Sequence, residues 1–251
     1  MVIDPWNPEQ LAIIAAIFLL AGMVKGVVGL GLPTISLALL TVTFGLKGAM
    51  VMMIVPSFST NVWQAVSGGA FVALMRRFWL LLVLTCISIW FGAKFLAIAD
   101  TRLLSGLLGL VTFIYALIGL MTPQMPNALP YERLASPLVG LVNGAITGLT
   151  GSSVMPGVPY LQALQMPRDE MIQAMGMLFS VSALALGVAM AGENLVPRAL
   201  GMASLVGLVP AFGGMWLGLK VRKRISQTQF RRVLFVSLLV LGVYITVRAI
   251  I

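Results

Sequence analysis

Two stretches decide the fold: GMVKGVVGLGLP (residues 22–33) and GLVNGAITGLTGSSVMP (residues 140–156). Each opens with a Gly-x-x-x-Gly step inside an apolar run. Each then passes through further glycines to a proline, Pro33 in the first and Pro156 in the second. The apolar segments at these prolines, Pro33 to Phe44 and Met155 to Leu164, are too short to cross a bilayer comfortably. A second match follows in the same order, WFGAK (residues 90–94) with WLGLK (residues 216–220). Two ordered matches at nearly constant spacing mark two copies of one unit.

The sequence around these stretches reads as membrane. Of 251 residues, 60% are hydrophobic and 9% charged, against about 25% charged in a soluble domain. Mean hydropathy is +1.05. A hydrocarbon core roughly 30 Å thick takes about 20 apolar residues as a helix. Leu11 to Val28, Ala49 to Leu74, Phe78 to Ala99, Leu103 to Met121, Met171 to Ala191, Ala199 to Leu219 and Phe230 to Ile250 meet that length. Lipid offers open backbone groups no partner, so these stretches are expected to be helices. The apolar–polar alternation of barrel strands is not present. The fold class is therefore an all-α polytopic membrane protein. Met1 to Gln10 carries Asp4 and Glu9 and no basic residue, so Leu11 onward reads as a retained helix rather than a signal peptide.

Residues 1–121 form the first repeat, 122–137 a linker holding Pro123, Pro126, Pro130 and Pro137, and 138–251 the second repeat. Each repeat is a glycine/proline-broken helical pair, re-entrant or spanning, followed by three transmembrane helices. The count of crossings per repeat is odd, so the second copy is expected to be inverted. Charge agrees. Lys220, Arg222, Lys223, Arg224, Arg231 and Arg232, placed on the cytoplasmic side of the plasma (inner) membrane, bring Arg76, Arg77, Arg133 and Arg168 to that side too. Lys47, Lys94, Arg102, Arg198 and Arg248 fall on the other side. Positive-inside bias thus accounts for the net charge of +9 without nucleic acid as a partner, and anionic lipid headgroups are a secondary one. A homodimer is left open.

Several chemistries are excluded. There is no histidine, and Cys86 is the only cysteine. A disulfide within the chain, a cysteine metal cage and a histidine proton shuttle are ruled out. Gly151-Ser152-Ser153 offers a serine nucleophile, but no histidine base exists to activate it. No enzyme, metal site or cofactor is expected.

What remains is a site for a small anion. Interrupted apolar segments at corresponding places in two halves point to a transporter's midplane binding site. Helix ends inside the membrane leave N–H groups open, and these bind anions without a charged side chain. Gly29, Gly31 and Thr34 surround the first break; Asn143, Thr147, Thr150, Gly151, Ser152 and Ser153 surround the second, with Tyr160 on the short helix beyond. Hydroxyl and amide donors suit an oxyanion. Lys25 takes the place of Asn143 in the first copy and lies near the middle of an apolar stretch. Such a cation faces a cavity or a partner. Asp4, Glu9, Asp100, Glu132, Asp169, Glu170 and Glu193 all fall at termini or loops, which leaves Lys25 to the substrate. Asn61 and Gln64, with Ser57 and Thr60 at helical spacing, are further candidates; Ser180 and Ser182 lie in the matching element.

These residues resemble the TauE/SafE family of sulfite exporter-like permeases. The likeness runs through residues 22–33, GAITGLTGSSVMP (144–156), Pro159-Tyr160-Leu161 and AMGMLFSVS (174–182), and it covers essentially the whole chain. It implies a secondary transporter for small sulfur-containing oxyanions or organosulfonates. Lys25 departs from the commoner first motif, so an anion channel or a permease for carboxylate-type anions stands as the alternative.

Overall fold

The computed structural model describes residues 7–121, 125–222 and 224–251. Asp4, Pro123 and Lys223 lie outside the described residues. All regular structure there is helical: α1 (Pro8–Val28), α2 (Leu32–Phe44), α3 (Leu46–Val66), α4 (Phe71–Ile98), α5 (Thr101–Met121), α6 (Glu132–Thr150), α7 (Gly157–Ala163), α8 (Arg168–Gly192), α9 (Arg198–Val206), α10 (Leu208–Val221) and α11 (Gln227–Ile250). Seven spans among the described residues are long and apolar enough to cross a membrane, counting α9 and α10 as one. The chain is thus an all-α polytopic membrane protein.

Local chemistry sets the helix ends. Asn7 caps α1 by accepting the Glu9 N–H at 2.9 Å, with Pro8 in the first turn. α1 stops at Gly29 (φ 89°), whose N–H bonds to the Lys25 carbonyl at 2.7 Å; α2 starts from Gly31 (φ 109°). Two left-handed residues flanking Leu30 make the first break, and a side chain at either would strain the backbone. Gly151 (φ 78°) ends α6 in the same way, its N–H bonding to the Thr147 carbonyl at 2.7 Å.

Three boundaries differ from the sequence reading. The run Ala49 to Leu74 is not one helix: the chain turns at Ser67–Ala70, where Gln173 Oε1 accepts the Ala70 N–H at 2.9 Å, and α4 begins at Phe71. Hydropathy does not register that turn because its residues are small or apolar. The span Ala199 to Leu219 is interrupted at Gly207, three residues before Pro210, which has no N–H to continue the ladder. The stretch read as linker is already helical from Glu132, with Pro137 inside α6.

The helices pack in crossed pairs. α1 lies parallel to α10, with Gly22 against Ala211 and Gly26 against Gly218. α6 lies parallel to α4, with Gly140 against Leu81, Gly144 against Thr85 and Gly148 against Gly92. α3 and α8 run antiparallel, Ala65 meeting Gly176 and Ile54 meeting Gly187. So do α5 and α11, where Gly109 meets Thr246 and Gly119 meets Phe235. Lipid provides no hydrophobic drive between helices, so close backbone approach through glycine supplies the attraction. Polar bonds add to it: Thr85 Oγ1 donates to the Gly140 carbonyl at 3.2 Å and Ser88 Oγ to that of Leu141 at 2.6 Å.

These registers gather the ends of α1, α3, α5 and α10 with the starts of α4, α6, α8 and α11. Arg77 on α4 pairs with Glu132 on α6 at this end, at 2.6 and 2.8 Å. Arg231 on α11 donates to the Gly119 carbonyl of α5 at 3.3 Å. At the opposite end Arg248 donates to the Val42 carbonyl at 2.8 Å.

Candidate functional site

Lys25 sits in the last turn of α1 and is only 3% exposed. This is nearer the basic end of the bundle than the midplane position expected from hydropathy, because α1 runs almost to its glycine stop. The ammonium donates to Thr60 Oγ1 at 3.3 Å and to Asn61 Oδ1. Both acceptors are held from behind. Thr60 Oγ1 donates to the Pro56 carbonyl at 2.7 Å. Asn61 Nδ2 donates to the Ser57 carbonyl at 2.8 Å and to Ser57 Oγ at 3.2 Å, which turns its oxygen toward Lys25. The helical spacing of Ser57, Thr60, Asn61 and Gln64 on α3 thus builds one polar face.

A cavity of about 330 Å³ opens beside Lys25 and Gly29. Its walls come from the last turns of α1, α3 and α10 and the first turns of α8, with Gln64, Asp169, Gln173 and Arg222 among them. Gln64 Nε2 donates to the Ile172 carbonyl at 2.6 Å, and Gln173 Nε2 returns a bond to the Ala65 carbonyl at 2.5 Å. This reciprocal pair of amides locks α3 to α8 and fixes the width of the cavity. A larger groove of about 620 Å³ runs among α1, α2 and α11, but no charged side chain lines it, so it suits lipid rather than an anion.

The second set of candidates forms a separate cluster. Asn143 Oδ1 accepts the Gly157 N–H at 3.0 Å, tying α6 to the start of α7. Its Nδ2 is buried without a partner among the described residues. Thr147 Oγ1 donates to the Asn143 carbonyl at 2.6 Å and lies 3.3 Å from that of Ser152. Thr150 Oγ1 donates to the Ile146 carbonyl at 2.7 Å and accepts the Ser152 N–H at 3.2 Å. Ser152 and Ser153 are buried. Leu37 and Met50 face Gly151.

Lys25, Gly29 and Gln64 therefore share the cavity wall, with Asn61 behind Lys25. Asn143, Thr147, Thr150, Gly151, Ser152 and Ser153 do not line that cavity. Nor do Gly31 and Thr34, which are buried at the start of α2. Tyr160 reaches away, its hydroxyl 3.4 Å from the Glu132 carbonyl at the basic end. Sequence reasoning missed Gln173, Asp169 and Arg222. They stand at helix ends, where charge and amides are ordinary, and only the register of α8 and α10 against α1 makes them neighbours of Lys25.

A multi-pass helical bundle with interrupted helices and a buried cation beside an internal cavity is the architecture of a membrane transporter. Residues 14–245 match the family model described as Sulfite exporter TauE/SafE, and the chain belongs to that family. It is accordingly a multi-pass membrane protein of the plasma membrane and a transporter of the sulfite-exporter type, for a small anion, rather than an enzyme. No curated protein and no solved structure matches the chain.

Proposed function

We propose that the protein is a secondary transporter that moves small sulfur-containing oxyanions or organosulfonates, and that Lys25 is the group that meets the anion. The observation that carries this reading is a buried lysine beside a cavity, bonded to two neutral oxygens and to no carboxylate among the described residues. A buried ion without a counter-charge costs several kcal/mol, and an oxyanion in the cavity supplies the missing charge. Arg222 at the wall adds long-range attraction at the entrance.

The two halves are read as inverted copies working as one machine. The pairing supports this: exchanging α1 with α6, α3 with α8, α4 with α9–α10 and α5 with α11 maps the crossed pairs onto one another. The relative directions support it too, since α1, α3 and α5 run opposite to α6, α8 and α11. The basic residues Arg76, Arg77, Arg133, Arg168, Lys220, Arg222, Arg224, Arg231 and Arg232 gather at one end, which positive-inside bias makes cytoplasmic. The cavity beside Lys25 then opens to the cytoplasm. The cluster around Asn143, Thr147, Thr150, Ser152 and Ser153 is its counterpart in the other half. Rocking of one half against the other would expose each in turn.

Flux into proteoliposomes tests this, with sulfite, thiosulfate, methanesulfonate and a carboxylate as probes. Saturable uptake with counterflow is expected for at least one sulfur anion. Lys25→Ala should lower it at least tenfold, and Ser152→Ala by less. Wild-type flux without counterflow would mean a channel. Unchanged flux and affinity in both variants would remove the site.

A further inference from the structure

We propose that Lys25 couples transport to protons: its amine takes up one proton with each anion and returns with neither. The inference rests on the transport reading above and assigns the coupling ion and the residue that carries it.

Among the described residues, Lys25 is the only buried Lys, Arg, Asp or Glu. The chain has no histidine. A protonated amine at this place meets Thr60 Oγ1 and Asn61 Oδ1, both neutral. The charged groups on the packed elements lie at the cavity wall or beyond it. Asp169 of α8 and Arg222 of α10 line the cavity with opposite charges, and neither is ion-paired with Lys25. Arg168 and Glu170 flank Asp169 on α8. Lys220 of α10 is stacked over the Trp216 ring, 3.4 Å from its centroid. α2 and the neighbouring face of α3 carry no titratable group near the cavity.

Two states of this site are electrically balanced. One holds a protonated amine beside a bound oxyanion of single negative charge. The other holds a neutral amine and no anion, and its two N–H groups still make both hydrogen bonds. The unbalanced states each bury a lone charge at a cost of several kcal/mol. The balanced pair are therefore the states that cross between the two sides. In the loaded passage one proton moves onto Nζ from the water the cavity faces, and anion and proton leave together on the other side. No bond of the anion is broken.

The test uses the full-length protein in liposomes loaded with a pH dye, with the membrane potential held at zero by valinomycin and potassium. Methanesulfonate serves as the probe because it is a monoanion that does not titrate near neutral pH. The expected result is internal acidification of about one proton per anion that enters. In Lys25→Arg, whose guanidinium stays charged, the flux that remains should lose its proton signal. Anion entry without acidification in wild type overturns the coupling and leaves the transport reading intact. So does an undiminished proton signal in Lys25→Arg. Should the variant not fold, the wild-type measurement alone decides. No entry of methanesulfonate overturns the inference as stated, and sulfite counterflow then decides separately whether the transport reading stands.

Discussion

The glycine contacts between helices make a graded prediction for three alanine substitutions. A Cβ at Gly218 would sit 2.1 Å from the Met23 carbonyl oxygen and 2.9 Å from Gly26 Cα. Both are backbone atoms, so no side chain can move aside, and α1 and α10 must separate by about 1 Å to restore an ordinary contact. Overpacking of this kind costs about 1–3 kcal/mol. The better helix propensity of alanine returns about 0.8–1 kcal/mol. At Gly92, its counterpart against α6, the nearest atoms are the Ala145 oxygen and Gly148 Cα, both at 2.8 Å. The displacement required is about half as large. At Gly213, one position from Gly214 on the same helix, nothing lies within 4 Å, so only the propensity gain remains. The net cost is about 1 kcal/mol, and with about 2–4 °C of melting temperature per kcal/mol for a chain of this size, Gly218→Ala should melt roughly 3 °C below wild type. Gly92→Ala should fall between Gly218→Ala and Gly213→Ala, and Gly213→Ala should be equal to wild type or higher. Thermal unfolding in detergent, read by size-exclusion retention after heating, gives the order. If Gly218→Ala melts with Gly213→Ala, close glycine contact is not what holds α1 to α10.

Other outcomes follow from the same contacts. Asn143→Ala leaves the Gly157 N–H without its acceptor and should cost about 1–3 kcal/mol; a melting curve identical to wild type would show that this amide does not hold the second break. Gln173→Leu removes the bonds to Ala65 and Ala70, so amide exchange at the start of α4 should speed up while the rest of α4 stays protected. Arg77→Ala breaks a pair whose side chains are 32% and 20% exposed, and the cost should stay below about 1 kcal/mol. Cysteines introduced at Arg77 and Arg198 in a Cys86-free chain should label from opposite sides of the membrane, and labelling from one side would sink the inverted arrangement.

The sequence by itself determined that the chain is an all-helical membrane protein. Hydropathy and length fix that wherever water is absent, because the backbone must then satisfy itself. It also determined where the helices break, because Gly29, Gly31 and Gly151 hold left-handed conformations that other residues resist. The turn at Ser67–Ala70 and the interruption at Gly207 were not legible from hydropathy, since they occur inside apolar runs. Nor was the make-up of the site. Lys25 and Asn143 occupy matching places in sequence, yet one faces a cavity and the other caps a buried helix start. Which helix lies beside which is decided by the fit of glycine faces, at registers that no apolar count encodes. Only that packing brings Asp169, Gln173 and Arg222 from distant segments to the cavity beside Lys25, and leaves the Thr147 and Thr150 hydroxyls bonded to their own helix backbone.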